Sequence, residues 1–462
     1  MEETLLKINN IFNERINGIT GNFRKRILDI RDAILFRFKY SEVGVTKESI
    51  AAEINYDKNI KCDATVYTKK EDNIPLSFYQ LLFYDIQKYY TENFTNKNYY
   101  KCEILNVTPM ADAIVVAVDG TYSNTNISAE KGKLETSMNI CSYNVSYGIP
   151  LLLDLKGREG KNKEIASLYE ILKEEKIEKN VILVADRAYT KYELFKKLAD
   201  MSINYVIRLR DNCLIGKEIS GKQSTIMKYL NENTRIVDSE YEETKILQSR
   251  DKKKHKVKFK NKCKLVTNLM DTTKYTDEII RQIYKQRWSI EVFFKILKTN
   301  FKFRTSVERK PDNYAKQYYS ELIIYYISKM LSHAKTTSTA KQCKLNKIKY
   351  KNKKNGQRIK CPIRYNQSLI ITGIFRKLID NIIYSSLTDG MLKSFFGTYI
   401  KNIKNEPDRH FDRKSKLPFS KWYVKFYHEV YKYAKIINAK INNDPDKLNK
   451  NLKLLYKDIT IA

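Results

Sequence analysis

Two short runs decide how the chain reads: VVAVDG, Val115 to Gly120, and VILVADR, Val181 to Arg187. Each is a series of β-branched and small apolar residues, the make-up of a strand buried on both faces. Each leads into an aspartate, Asp119 in the first and Asp186 in the second. A carboxylate at the C-terminal edge of a buried strand is costly unless a cation or a hydrogen-bond donor stands beside it. Taken singly, either aspartate also reads as a turn cap, because Asp-Gly and Asp-Arg are ordinary turn chemistry.

Between these runs lie MNICSYNVSYG (Met138 to Gly148) and IPLLLDLKG (Ile149 to Gly157), which read as strands, and KEIASLYEILKEEK (Lys163 to Lys176), which reads as a helix. A helix, YELFKKLADM (Tyr192 to Met201), and a strand, YVIRLR (Tyr205 to Arg210), follow the second run. Strands in antiparallel succession, then strands alternating with helices, describe an α/β protein with a mixed sheet of the ribonuclease H type. Asp211 to Cys263 turns polar and basic, ending in RDKKKHKVKFKNK (Arg250 to Lys262), and reads as a β-rich insertion. KLVTNL (Lys264 to Leu269) resumes as a strand, and one long helix is expected from about Thr276 to Asn300.

Both flanks are expected to be helical. ILDIRDAILFRF (Ile27 to Phe38), VTKESIAAEI (Val45 to Ile54) and SFYQLLFYDIQKYY (Ser77 to Tyr90) have helical apolar spacing. Their basic punctuation, beginning at Phe23-Arg24-Lys25-Arg26, suits DNA contact and equally suits a solvated face. From Tyr314 onward the pattern is again helical, interrupted by the basic stretch Lys341 to Lys360. The expected domains are a helical N-terminal DNA-binding region (1–100), a catalytic domain with its insertion (101–310), and a helical, basic C-terminal region (311–462).

At 462 residues the chain exceeds what one core usually serves. Lys and Arg total 86 against 53 for Asp and Glu, a formal charge of +33, so a polyanion is the natural partner. Lysine-rich chains also arise from AT-rich genomes, the bland reading of the same number. The seven cysteines and four histidines are scattered without a C-x-x-C pair, which points away from a zinc site, a disulfide framework or a histidine dyad. No apolar run approaches the roughly 20 residues of a bilayer span, and the N-terminus lacks a signal-peptide core. A place in the cytoplasm, or wherever its DNA lies, is expected.

The third motif is YKQRWSIEVFFKILK, Tyr284 to Lys298, in which Tyr284, Arg287, Glu291 and Lys298 are spaced Y-x2-R-x3-E-x6-K. On a single helix these four fall within an arc of about 60°, opposite Ile283, Ile290, Phe293, Ile296 and Leu297, which would face the sheet. One carboxylate flanked by Tyr, Arg and Lys suits binding metal and phosphate together.

The DG-T after the first strand, the ADR-Y after the second and this helix motif together resemble the DDE transposases of the insertion-sequence-four family, most strongly over residues 113 to 300. The resemblance implies a ribonuclease H-like catalytic core in which Asp119, Asp186 and Glu291 are the catalytic, metal-binding triad. It implies two Mg2+ ions, with Mn2+ able to substitute, and contacts from Tyr284, Arg287 and Lys298 to DNA phosphates near the cut. It also implies cut-and-paste transposition of an insertion sequence, with double-stranded DNA (terminal inverted repeats and target DNA) as partner and a homodimer assembled on it. The protein would then associate with the nucleoid, or enter the nucleus of a eukaryotic host. Trp288 is expected to pack. Two readings compete: a transposase-derived DNA-binding protein that has lost catalysis, and a ribonuclease H-like nuclease for repair or RNA. The intact triad speaks against the first, the long basic flanks and the Y-R-E-K helix against the second.

Overall fold

The computed structural model describes residues 2–20, 28–95, 114–125, 135–145, 147–155, 165–166, 168–169, 181–217, 225–248, 254–304, 306, 308–343, 349–351, 358–360, 364–400 and 402–403. The chain begins with helices α1 (Glu2–Thr20), α2 (Ile30–Tyr40), α3 (Lys47–Lys58), α4 (Ala64–Asp72) and α5 (Leu76–Tyr90). Strands β1 (Ile114–Thr125), β2 (Glu135–Asn144), β3 (Ile149–Leu155) and β4 (Val181–Ala185) come next, then α6 (Tyr192–Asp200) and β5 (Asn204–Arg208). The insertion supplies α7 (Thr225–Asn233), β6 (Arg235–Gln248) and β7 (Lys254–Thr267). After it come α8 (Asp277–Lys285), α9 (Trp288–Asn300), α10 (Pro311–Cys343), α11 (Gln367–Gly373), α12 (Ile379–Ile383) and α13 (Asp389–Tyr399).

The central sheet has seven strands in the order β3-β2-β1-β4-β5-β7-β6. β1 pairs antiparallel with β2 and parallel with β4, β2 pairs antiparallel with β3, and β4 pairs parallel with β5. That is the ribonuclease H-like mixed sheet, extended by the β6–β7 ribbon, whose β7 pairs antiparallel with β5. The insertion is therefore partly helical, and the expected strand at Lys264 is the end of a ribbon strand begun at Lys254. Register sets Asp238 beside Lys264 and Glu240 beside Lys262, so these carboxylates of β6 oppose lysines of β7 on one side of the ribbon. Of the helix expected at 163–176, Ile165, Ala166, Leu168 and Tyr169 are described and are helical. The basic Phe23 to Arg26 stretch lies outside the described residues.

Alternation along the strands divides the core in two. Val115 and Ala117 of β1, Ile182 and Val184 of β4 and Val206 of β5 join the N-terminal helices, α9 and α10 in one cluster. Val116, Val118, Leu183, Ala185, Tyr205 and Ile207 face the other way, onto α6 and α7. In α10, Tyr314, Tyr318, Leu322, Ile323, Tyr325 and Tyr326 are all buried, so this helix is enclosed on every side over its first half, and its sequence accordingly lacks one clean apolar stripe. Its tyrosine hydroxyls fasten it to the sheet: Tyr314 bonds Ser123 at 2.6 Å and Tyr326 donates to the Pro150 carbonyl at 2.6 Å.

A buried ionic group joins the N-terminal helices to the segment behind the site. Arg37 of α2, 2% exposed, bonds Glu71 of α4 and, at 3.0 Å, Glu308 just before α10. Lys316 of α10 donates to the Glu71 carbonyl at 3.1 Å, and Lys47 of α3 reaches Glu308 at 3.3 Å. Burial alone would depress the Arg37 pKa, but Glu71 and Glu308 hold it well above its ordinary value.

The chain divides into two compact units, Met1–Lys347 with Ile363–Lys404, and Ile348–Pro362 with Asn405–Ala462. In the second, a two-stranded hairpin pairs Lys349–Lys351 with Arg358–Lys360, within the expected basic stretch.

Candidate active site

The parallel register of β1 and β4 runs from Ile114 beside Val181 to Val118 beside Ala185, so the next position on each strand is an aspartate. Neighbouring strands lie about 4.8 Å apart. Alternation turns both side chains to one face: Asp119 follows Val115 and Ala117, Asp186 follows Ile182 and Val184, and this is the face that α9 covers. The two aspartates nevertheless differ. Asp119 lies inside β1, opposite Cys141, and Gly120 is paired with Ile140, so there is no turn at Asp-Gly and the strand does not end there. Asp119 Oδ1 accepts from the Gly120 N–H at 2.9 Å. Asp186 does cap a turn, the 3-10 segment Arg187–Tyr189, accepting from the Ala188 N–H at 2.7 Å.

Glu291 arrives on α9, whose Ile290, Phe293 and Leu297 are buried in the cluster beneath β1. The single long helix expected here is two. α8 stops at Lys285, and the link is drawn tight by bonds of the i to i−3 type: Arg287 N to Tyr284 O at 3.0 Å and Ile290 N to Arg287 O at 3.2 Å. Tyr284 and Glu291 therefore do not share one helical wheel. They meet through Arg287, which sits in the link. Its Nη1 is 3.4 Å from Asp119 Oδ2, its Nη2 is 2.5 Å from Glu291 Oε1, and its guanidinium lies 5.9 Å from the centre of the Tyr284 ring.

The charges form one neighbourhood. The Asp119 carboxyl is pushed up to about 7, chiefly by burial; Arg287 opposes this, while Asp186 and Glu291 add repulsion. Burial would lower Arg287, yet Tyr284, Glu291 and Asp119 together raise it. Tyr284 is pushed up to about 12 by burial, with Asp186 adding to the rise, and so stays a protonated phenol. Lys298 is lowered by burial and by Arg304, against the pull of Asp119. All six side chains singled out in the sequence thus act on one another here. The donors are oxygen only, the set a hard divalent cation prefers. The residues fit such an ion. Among the described residues no three acidic, histidine or cysteine side chains form a ready-made cage; Arg287 contacts both Asp119 and Glu291 instead.

Three features escaped the sequence reading. Trp288, expected to pack, is 62% exposed beside Arg287. Arg208, at the end of β5 on the face of Asp119 and Asp186, lowers the Tyr284 pKa and belongs to the site's surroundings. A cleft of about 460 Å³ opens beside Asp186, lined by Arg187, Ala188, Arg210, Asp211 and Asn212. The signal for the arginines was present in YVIRLR, an apolar strand that turns basic at its end.

Residues 111–327 match the family model of the transposase DDE domain. Over this segment, just under half of its length, the chain is similar to the DDE transposases. Over 222 residues the chain is 24% identical to a putative transposase for insertion sequence element IS4SA of Synechocystis, covering 45% of this chain and 56% of that protein. It is 28% identical over 156 residues to a probable transposase for insertion sequence element IS5377 of Geobacillus stearothermophilus, covering 32% of this chain and 39% of the relative. The matches thus span about half the length, or less, of these two relatives. The piggyBac transposase synaptic complex with hairpin DNA, a cryo-electron microscopy structure, is a distant likeness: 9% identity and a TM-score of 0.37 over 90% of this chain and 89% of that one. The matched segment carries all of the motifs quoted above, from Asp119 to Lys298. Among the described residues no helix is long and apolar enough to cross a membrane.

Proposed function

We propose that this chain is a transposase of the insertion-sequence-four type that cuts and rejoins double-stranded DNA at the terminal inverted repeats of a mobile element. The observation that supports it most is that Asp119 and Asp186 each stand one position past the last paired residues of the adjacent parallel strands β1 and β4, with Glu291 tied to Asp119 through Arg287. Asp119, Asp186 and Glu291 would hold two Mg2+ ions, with Mn2+ able to replace them. Divalent ions bound there supply activation of an attacking water or 3′-hydroxyl and stabilisation of the leaving oxygen.

The remaining residues serve the phosphate. Arg287 and Lys298 bring positive charge to the rim of the carboxylate cluster, and Tyr284, held protonated, is a hydrogen-bond donor for a phosphate oxygen. The excess of lysine and arginine supplies sequence-independent affinity for the duplex around it. Because an element has two ends, joining both to a target takes two such sites, so a homodimer assembled on DNA completes the reaction. It would work wherever its DNA is, at the nucleoid of a bacterial host.

The test is a strand-cleavage assay on a linear duplex carrying the inverted repeats that flank the coding region. With Mg2+ the protein is expected to nick at the repeat boundary and leave a 3′-hydroxyl. Binding without cleavage in Mg2+ and in Mn2+ would leave only a transposase-derived DNA-binding protein.

A further inference from the structure

The Arg287 side chain engages two of the three carboxylates through a forked pair of N–H groups, on Asp119 Oδ2 at 3.4 Å and Glu291 Oε1 at 2.5 Å. We propose that Arg287 is a built-in counter-ion that competes with the divalent cation for Asp119 and Glu291, so that the DNA-free site binds metal weakly. The inference rests on the metal-site reading above, and goes beyond it in giving Arg287 a role before DNA arrives.

Four observations carry it. The oxygens that Arg287 occupies belong to the residues that would hold the ion, and a carboxylate oxygen committed to a guanidinium is a poorer ligand. The Arg287 side chain is 15% exposed, so it is desolvated enough for the contacts to matter without being fully enclosed. It also extends from the short link between α8 and α9, not from the middle of a packed helix, so its side chain can swing without disturbing the buried Ile290 and Phe293. The carboxylates are not gathered into a ready cage among the described residues, as expected if an arginine stands between two of them. A DNA phosphate is a stronger partner for a planar guanidinium than a single carboxylate oxygen. Its arrival would draw Arg287 off and raise metal affinity, and by linkage a bound ion would strengthen the hold on DNA by the same factor.

The experiment titrates Mn2+ into the full, DNA-free chain and follows free Mn2+ by electron paramagnetic resonance, alongside thermal melts. Arg287→Gln should bind Mn2+ about tenfold or more tightly than the unaltered protein, in line with the loss of two charge-assisted contacts. Without metal its melting temperature should fall, and Mn2+ should raise it further than in the unaltered chain. Arg287→Lys should fall between the two, because an ammonium cannot reach both carboxylates in forked fashion; it also serves if the glutamine variant folds poorly. Equal or weaker Mn2+ binding in both variants would overturn the inference while leaving the metal site standing. Asp119→Asn is the control for that site: it should bind more weakly than the unaltered chain. If it binds equally well, the ion lies elsewhere, and the metal-site reading and this inference both fall.

Discussion

Glu291→Gln should lower Mg2+-dependent strand cleavage by about 10³-fold or more, roughly 4 kcal/mol of transition-state stabilisation, with DNA affinity little changed. The substitution keeps the shape of the side chain and removes one negative charge from a cluster whose purpose, on this account, is to hold cations. Folding should survive, since the Glu291 side chain is 32% exposed and the buried face of α9 is made by Ile290, Phe293 and Leu297. Binding should survive too, because the glutamine still accepts a hydrogen bond from Arg287 and the basic residues proposed to meet phosphate are untouched. A gel assay of cleavage beside a filter-binding or anisotropy measurement on the same duplex separates the two properties. Cleavage at an undiminished rate would remove Glu291 from the active site.

The second large effect is on stability. Arg37→Met should cost about 3 to 5 kcal/mol, the usual range for removing one partner of a buried ion pair, because Glu71 and Glu308 are then left with too little positive charge. Glu71 keeps Lys316 at 3.7 Å and Glu308 keeps Lys47 at 3.3 Å, which places the expected loss toward the lower end. Adding Glu71→Gln should recover part of it, since a neutral amide tolerates burial without a cation. Denaturant unfolding of the single and double variants measures both numbers. A loss under about 1 kcal/mol for Arg37→Met would mean that the group is solvated and contributes little.

The strands were legible because burial on both sheet faces demands long β-branched runs, and β1 and β4 have them. What brings Asp119 beside Asp186 was not, since register is a property of pairing and not of either strand alone. Asp-Gly at 119–120 suggested an ending, but ten consecutive positions of β1 against β2 carry the strand on to Thr125, a tertiary override of a local turn preference. The break between α8 and α9 had no marker, because Gln286 and Arg287 are ordinary helix formers and neither glycine nor proline stands nearby. Trp288 was readable. Three residues before Glu291 it lies only about 60° round the helix, at the margin of the polar arc, and its exposure follows from the same geometry that picked out the carboxylate. The N-terminal helices were recognised as helices, but amphipathic spacing does not say against what they pack; they share a core with α10 and one face of the sheet.

Crystals of the protein bound to its end DNA, soaked in Mn2+ and measured at the manganese absorption edge, would locate the ions directly. Anomalous peaks within about 2.2 Å of carboxylate oxygens of Asp119, Asp186 and Glu291, with the Arg287 guanidinium moved onto a phosphate, are the result expected here. Manganese bound elsewhere, with Arg287 still bridging Asp119 and Glu291 in the DNA complex, would contradict it.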